Sequence, residues 1–227
     1  MEQLTHFDNT MIECFRKCNR KFYFRHVRHW SPDFMAKPLA FGLAWHSAMD
    51  AIWSNAKGLQ KGALTHLAVE SFNKSWVDNK MPTDDTMLMS MYPRTPGRAH
   101  EMIGYYINKY YDWLKRITLL EVESSFTVPM DDKDDGVIYM GRFDKVFKDP
   151  NNSNKVIILD HKTTSIMASS WFESFSPNSQ IDGYLYAGNM LYGPEFWGIY
   201  IDGASVMKSD SKTGGGKSVD RDLPPGI

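Results

Sequence analysis

The sequence predicts an α/β fold with a helical N-terminal region. Three observations predict it. Apolar residues recur at helical spacing as far as Arg116. After Leu119, alternation and turn clusters replace that period. The run Val156-Ile157-Ile158-Leu159 is apolar without a break, as in a strand buried on both faces, and another helical segment follows it.

Thr10 to Arg28 reads as the first helix, with Thr10 as its N-cap. Ile12, Phe15, Phe22 and Tyr23 are its apolar positions, with Cys14 and Cys18 among them. Arg16, Lys17, Arg20, Lys21, Arg25 and Arg28 make the same stretch basic. Two readings fit: a solvated face opposite a core face, or a phosphate-contacting surface with aromatics at hand for bases. Ser31 to Pro38 is a loop. Gly42 to Asn55 is a second helix, with Leu43, His46, Met49, Asp50 and Trp53 on one face, and Gly58 to Gly62 breaks it. Leu64 to Val77 is helical again. Asp78 to Gly97, rich in Pro, Asp, Met and Thr, is a loop. Arg98 to Arg116 is a third strong helix, and its stripe of Tyr105, Tyr106, Tyr110 and Trp113 reads as core. Glu121 to Val128 is the first strand, ended by Pro129, and Val137 to Phe147 is the second. Asp149 to Asn154 is a turn cluster. Lys155 to Asp160 is the buried strand, Ser179 to Leu191 a helix and Phe196 to Ile201 a last strand.

With 227 residues, 42% hydrophobic and 23% charged, the chain can bury a full core without metal or disulfide staples. One domain is expected over 1–207, with 10–118 mainly helical and 119–207 β-rich. The Gly- and Ser-rich stretch 208–227 is expected to be a flexible tail. The net charge of −1 excludes a protein that coats nucleic acid over its whole surface, so any phosphate binding must come from a local patch. No stretch approaches the roughly 18 apolar residues of a membrane span, and Met1 to Asn9 lacks the apolar core of a signal peptide. Two cysteines are too few for a disulfide scaffold, so a reducing compartment, the cytoplasm, is expected.

Chemistry concentrates where the buried strand ends, at Asp160-His161-Lys162-Thr163-Thr164. Residues i and i+2 of a strand share a side, so Asp160 and Lys162 face together and His161 points away. Either the two form a structural ion pair, or a metal ligand stands beside a cationic catalyst. The preceding strand carries Gly141-Arg142-Phe143-Asp144. A hairpin centred near Asn151 or Asn152 brings Asp144 opposite Leu159 or Asp160, and a slip of one residue would move it to the other face. In the favourable register two carboxylates and a lysine converge, a set of hard ligands suited to Mg²⁺ or Mn²⁺.

These residues resemble the core of the PD-(D/E)XK nuclease superfamily, and further motifs resemble its RecB-like exonuclease branch. Gly42-Leu43-Ala44-Trp45-His46 resembles that branch's Gly-x-x-x-His helix. Gln180-Ile181-Asp182-Gly183-Tyr184 resembles its Gln-x-x-x-Tyr helix. Phe15 to Tyr23 resembles its opening helix, and Glu123 matches the acid found before the core hairpin. The match runs in the family's order over about residues 10 to 202. Phe143 stands where the superfamily's name has Pro.

The resemblance implies a restriction-endonuclease-like core: a central mixed sheet flanked by helices. It implies a metal-dependent deoxyribonuclease, an exonuclease on single-stranded or duplex DNA ends with low sequence specificity, or alternatively an endonuclease or processing subunit that depends on a protein partner in a recombination, repair or adaptation complex. His46, Asp144 and Asp160 would bind Mg²⁺ or Mn²⁺, with the His161 backbone carbonyl as a further ligand. Lys162 would act as the catalytic cation. Glu123 would be a catalytic acid, a role Glu121 could also take. Gln180 and Tyr184, i and i+4 on one helix, would contact substrate or support the metal site, and are otherwise packing residues. Arg16, Lys17, Arg20 and Lys21 would hold phosphates. Some members of the branch carry an iron–sulfur cluster. Cys18 stands where its first ligand would be, but no cysteine follows, so this chain does not supply four thiolates. A binding module that keeps the fold without turnover has no need of Asp144, Asp160 and Lys162 together.

Overall fold

A computed structural model describes residues 5–33, 35–130 and 136–206. The tail expected from residue 208 lies outside them. A short strand β1 (Thr5–Phe7) is followed by helix α1 (Asn9–Lys17) and helix α2 (Asn19–Phe22). A π-helical turn, Tyr23–Val27, comes next. The helices α3 (Lys37–Asn55), α4 (Lys61–Asp78), α5 (Asp85–Met89) and α6 (Pro96–Leu114) complete the N-terminal half. Then come β2 (Thr118–Pro129), β3 (Val137–Lys148), β4 (Val156–Thr164), α7 (Ser169–Glu173), α8 (Ser179–Tyr192) and β5 (Phe196–Ser205).

The expected first helix is not continuous. Asp8, not Thr10, caps it: Asp8 Oδ1 accepts the Met11 amide at 2.7 Å. At Cys18 the backbone is extended, ending α1 and starting α2. Pro38 sits in the first turn of α3, where its missing N–H costs nothing, so that helix begins inside the expected loop. The loop expected at 78–97 holds α5, capped by the Asp84 carboxylate on the Met87 amide. β1 and α7 are too short to show a period.

The sheet is mixed. β4 and β5 are parallel, β2 and β3 antiparallel, and β3 and β4 antiparallel. The β3–β4 register places Lys145 opposite Leu159 and Lys148 opposite Val156, so Asp144 comes next to Asp160 as the hairpin about Asn152 requires. On one face α3, α4 and α6 bury Phe41, Trp45, Phe72 and Ile103 against Phe147, Ile157 and Leu159. On the other, α8 covers Phe143, Val146 and Ile158 with Ile181 and Tyr184.

The strands part where the chemistry lies. β2 flanks β3 along its length. On its other side β3 pairs with β4 only from Lys145 to Lys148, and with β1 only from Val137 to Tyr139. Among the described residues, 140–144 therefore have no strand beside them on that side, while β4 runs on to Thr164 paired there with β5 alone. This splay is the floor of a cleft of about 770 Å³.

Gly188 in α8 lies beneath the Phe196 ring, which a Cβ there would strike. Alanine in a helix gains about 1 kcal/mol over glycine, but overpacking costs about 1–3 kcal/mol. Gly188→Ala is expected to lower stability, measured by urea unfolding; a stabilised variant would show that the ring yields.

Candidate active site

Four elements bring the site together. α3 supplies His46, the splayed strands supply Asp144 and Asp160, and β2 supplies Glu123, placed across from Asp144 by the neighbouring pairs Val122–Lys145 and Ser124–Phe143. Glu123, Asp144 and Asp160 thus form one row across the sheet. Glu123 has a φ of 52°, the left-handed region that a residue with a Cβ rarely occupies. Glu121 does not take its place. It is exposed and accepts from Ser124 instead.

The peptide of His161 ties the row to the helix. Its N–H donates to Asp144 Oδ2 at 2.7 Å, and its carbonyl meets His46 Nε2 at 3.0 Å. A carbonyl only accepts, so Nε2 carries the proton. Nδ1 of the neutral ring is then a lone pair. It faces Asp144 Oδ2 at 3.4 Å and Glu123 Oε1 at 4.0 Å. Glu123 Oε1 is buried without a hydrogen-bond partner. The three donor atoms lie within 4.8 Å of one another.

Burial disfavours the charged form of each group, and neighbours decide the outcome. For His46, the charge of Asp144 and the hydrogen bond that Nδ1 donates to it once the ring is protonated outweigh burial and raise its pKa. For Asp144, His46 and the His161 amide outweigh burial and hold the carboxyl well below the usual range. Glu123 is pushed up by burial and by the charge of Asp50. Asp160 is pushed up by burial and Asp144, against the pull of Lys162. Two carboxylates held towards protonation beside an imidazole lone pair are short of positive charge, and a divalent cation with hard-oxygen and imidazole preference fits that deficit.

The predicted residues are brought together unequally. Lys162 Nζ lies 2.7 Å from Asp160 Oδ2, so these two share a face as expected. Glu123, rather than Asp160, completes the tightest cluster with His46 and Asp144. The His161 carbonyl, expected as a ligand, accepts from His46 Nε2 and keeps a second lone pair. Gln180 Nε2 donates to the Tyr184 hydroxyl at 3.2 Å, and that hydroxyl donates to the Arg142 carbonyl at 2.7 Å, within the unpaired stretch of β3. Both line the cleft. Arg16, Lys17, Arg20 and Lys21 do not line it; they stand exposed beyond Asp8, Asn9 and Thr10, which form part of its wall.

Sequence reasoning assigned no role to four supporting residues. Arg142 Nη2 holds Glu123 Oε2 at 2.7 Å. Lys145, fully buried, is neutralised by Asp50. Asp50 lies one turn after His46, a spacing visible in the sequence. Asp202 holds the buried His161 ring through Nδ1 at 2.8 Å, beside it in the β4–β5 register. An acid just after an apolar strand was the available signal, but only the register gives it a partner.

Losing a residue that braces a ligand costs about 10–100-fold in metal affinity. Asp202→Ala, which frees the His161 ring and so its peptide, is expected to weaken Mn²⁺ binding in calorimetric titration within that range. Asp202→Asn, which can still accept from the ring, is expected to lose less. Equal, unaltered affinities would separate Asp202 from the cluster.

A comparison with curated proteins returns no match. The family model of the PD-(D/E)XK nuclease superfamily matches residues 9–198. That span runs from the start of α1 into β5 and takes in both helical layers, the splayed strands and the whole row of acids with His46 and Lys162, though not Asp202. With its mixed sheet between helices, a restriction-endonuclease-like arrangement, the chain belongs to the PD-(D/E)XK nuclease superfamily.

Proposed function

We propose that the protein is a metal-dependent exodeoxyribonuclease of the RecB-like kind, acting on DNA ends with low sequence specificity. The observation that carries this reading is the cluster of His46 Nδ1, Asp144 Oδ2 and Glu123 Oε1 beside the Lys162–Asp160 pair in an open cleft. Members of the superfamily are generally divalent-metal dependent. His46, Asp144 and Asp160 would hold Mg²⁺ or Mn²⁺, with Glu123 and the His161 carbonyl in reach, and the imidazole tilts preference towards Mn²⁺. When bound, such an ion makes a coordinated water more acidic and offsets charge at the scissile phosphate.

The chain's own groups supply the rest. Lys162, held by Asp160, orients the attacking water or stabilises the negative charge that develops on the phosphate. Asp144 stays ionised under its His46 and His161 contacts, ready to coordinate at neutral pH. Tyr184 fixes the Arg142 carbonyl, and with it the strand segment that carries Asp144. No feature of the cleft is assigned to base edges, which supports low specificity. Among the described residues no helix is long and apolar enough to cross a membrane.

The test is degradation of end-labelled single-stranded, linear duplex and circular DNA with EDTA, Mg²⁺ or Mn²⁺. Linear substrates are expected to disappear in a metal-dependent way while circles persist; circles cut at the same rate would make the protein an endonuclease. Lys162→Ala is expected to lose about 10²–10³-fold in rate while still binding Mn²⁺. Asp144→Ala is expected to lose both. Wild-type cleavage by Lys162→Ala would remove the lysine from the mechanism.

A further inference from the structure

Residues 15–30 hold six basic side chains and no acidic one, in a chain of net charge −1. Arg16, Lys17, Arg20, Lys21, Arg25 and Arg28 are all exposed. Among the described residues only Lys17 meets a carboxylate, that of Glu13. The same segment exposes large apolar side chains: Phe15 is 53%, Tyr23 46% and Trp30 61% accessible. In α1, α2 and the π-helical turn only Cys14 is buried. From Phe15 to Trp30 no residue is buried, so this stretch is an arm, while Ile12 before it packs against the core and Cys14 is buried. Its own aromatics brace it: Trp30 stacks on Phe24 at 4.8 Å, and Phe22 meets Phe15 edge-on and His26 face-on.

An arm of this composition discriminates among occupants. The core of a protein interface is depleted in charge, and here exposed cations flank the aromatic run Phe22-Tyr23-Phe24 on both sides. A membrane-surface helix needs one continuous apolar face, and this segment breaks at Cys18 and rewinds as a π turn. A DNA duplex offers phosphates, but its bases are stacked away from aromatic side chains. Single-stranded DNA offers phosphates to the cations and free base faces to the rings. The helix that leads into the arm, α1, starts at the cleft, whose wall includes Asp8, Asn9 and Thr10.

We infer that this arm is a binding site for the single-stranded part of the substrate, with Tyr23 and Trp30 stacking bases and Arg20, Arg25 and Arg28 contacting phosphates. The inference rests on the nuclease reading for its choice of DNA, but not on turnover. It is tested by binding alone, in the full chain carrying Lys162→Ala and with EDTA present, so a failed cleavage assay and a failed arm give different results.

The probes are a fluorescent oligothymidylate of about 16 nucleotides, a hairpin duplex, and vesicles of phosphatidylserine and phosphatidylcholine. Trp30→Ala and Tyr23→Ala are each expected to weaken oligothymidylate binding about 5–150-fold and to leave the duplex within about twofold. Trp30→Phe is expected to restore most of the loss. Arg25→Gln with Arg28→Gln is expected to weaken both DNAs and to lower the slope of log affinity against log salt by about 1–2. Circular dichroism checks that the variants stay folded. For the Trp30 and Tyr23 variants, equal losses on single strand and duplex, no loss on either, or retained DNA binding with lost vesicle binding would each overturn the inference.

Discussion

The site depends on how one edge of β3 is shared between two strands that do not meet. β4 occupies one end of that edge and β1 the other, which leaves residues 140–144 without a neighbour. Backbone groups freed in this way need partners. Side chains supply them. Asp144 reaches across to the His161 amide at the point where the ladder stops, and Tyr184 takes up the Arg142 carbonyl. The acid that belongs to the chemistry is therefore also the pin that closes the sheet's open seam. The seam is a cleft because side chains, not a strand, bridge it.

Around this seam the molecule concentrates charge that a core ordinarily avoids. Burying ions without partners costs several kcal/mol each, and the structure meets that cost pair by pair: Lys145 with Asp50, Arg142 with Glu123, Lys162 with Asp160, and Asp202 with the His161 ring. Hydrogen bonding stays incomplete at several buried atoms of the cluster, Glu123 Oε1, Asp160 Oδ2 and His161 Nε2 among them, and His46 Nδ1 faces Asp144 and Glu123. The helical layer is well placed to keep this arrangement rigid. α3 carries both His46 and Asp50, and its buried face, with Trp45, Met49 and Trp53, is locked into the larger core.

Much of this was legible in the residues. The apolar run before Asp160 marked a buried strand by its continuity, and the turn cluster about Asn152 set the register that puts Asp144 beside Asp160. Both inferences rest on local period and turn chemistry, which the sequence carries directly. The parts that were not legible need information from elsewhere in the chain. β1 is three residues long and has no period; its role comes from where β3 leaves an edge free. Asp202 and Lys145 acquire meaning only from a cross-strand neighbour. The opening helix resembled a surface element with a core face, since its apolar residues recur at helical spacing. Ile12 and Cys14 do face inward, but past the break at Cys18, which that spacing does not encode, Tyr23, Val27 and Trp30 stand exposed. Glu123 was recognised by its position, but the backbone conformation that aims it was not, since only tertiary contacts hold a residue with a Cβ there.

That conformation sets stability against function at a single residue. A left-handed backbone at a position with a side chain costs about 1–2 kcal/mol, which glycine would not incur. Replacing Glu123 with glycine would relax the strand and remove a buried, under-satisfied carboxylate, making the fold sturdier while stripping the cluster of a donor. A programme that ranked variants of this protein by thermal resistance alone would therefore be drawn to this position, and its best scorers would be those that had given up the site.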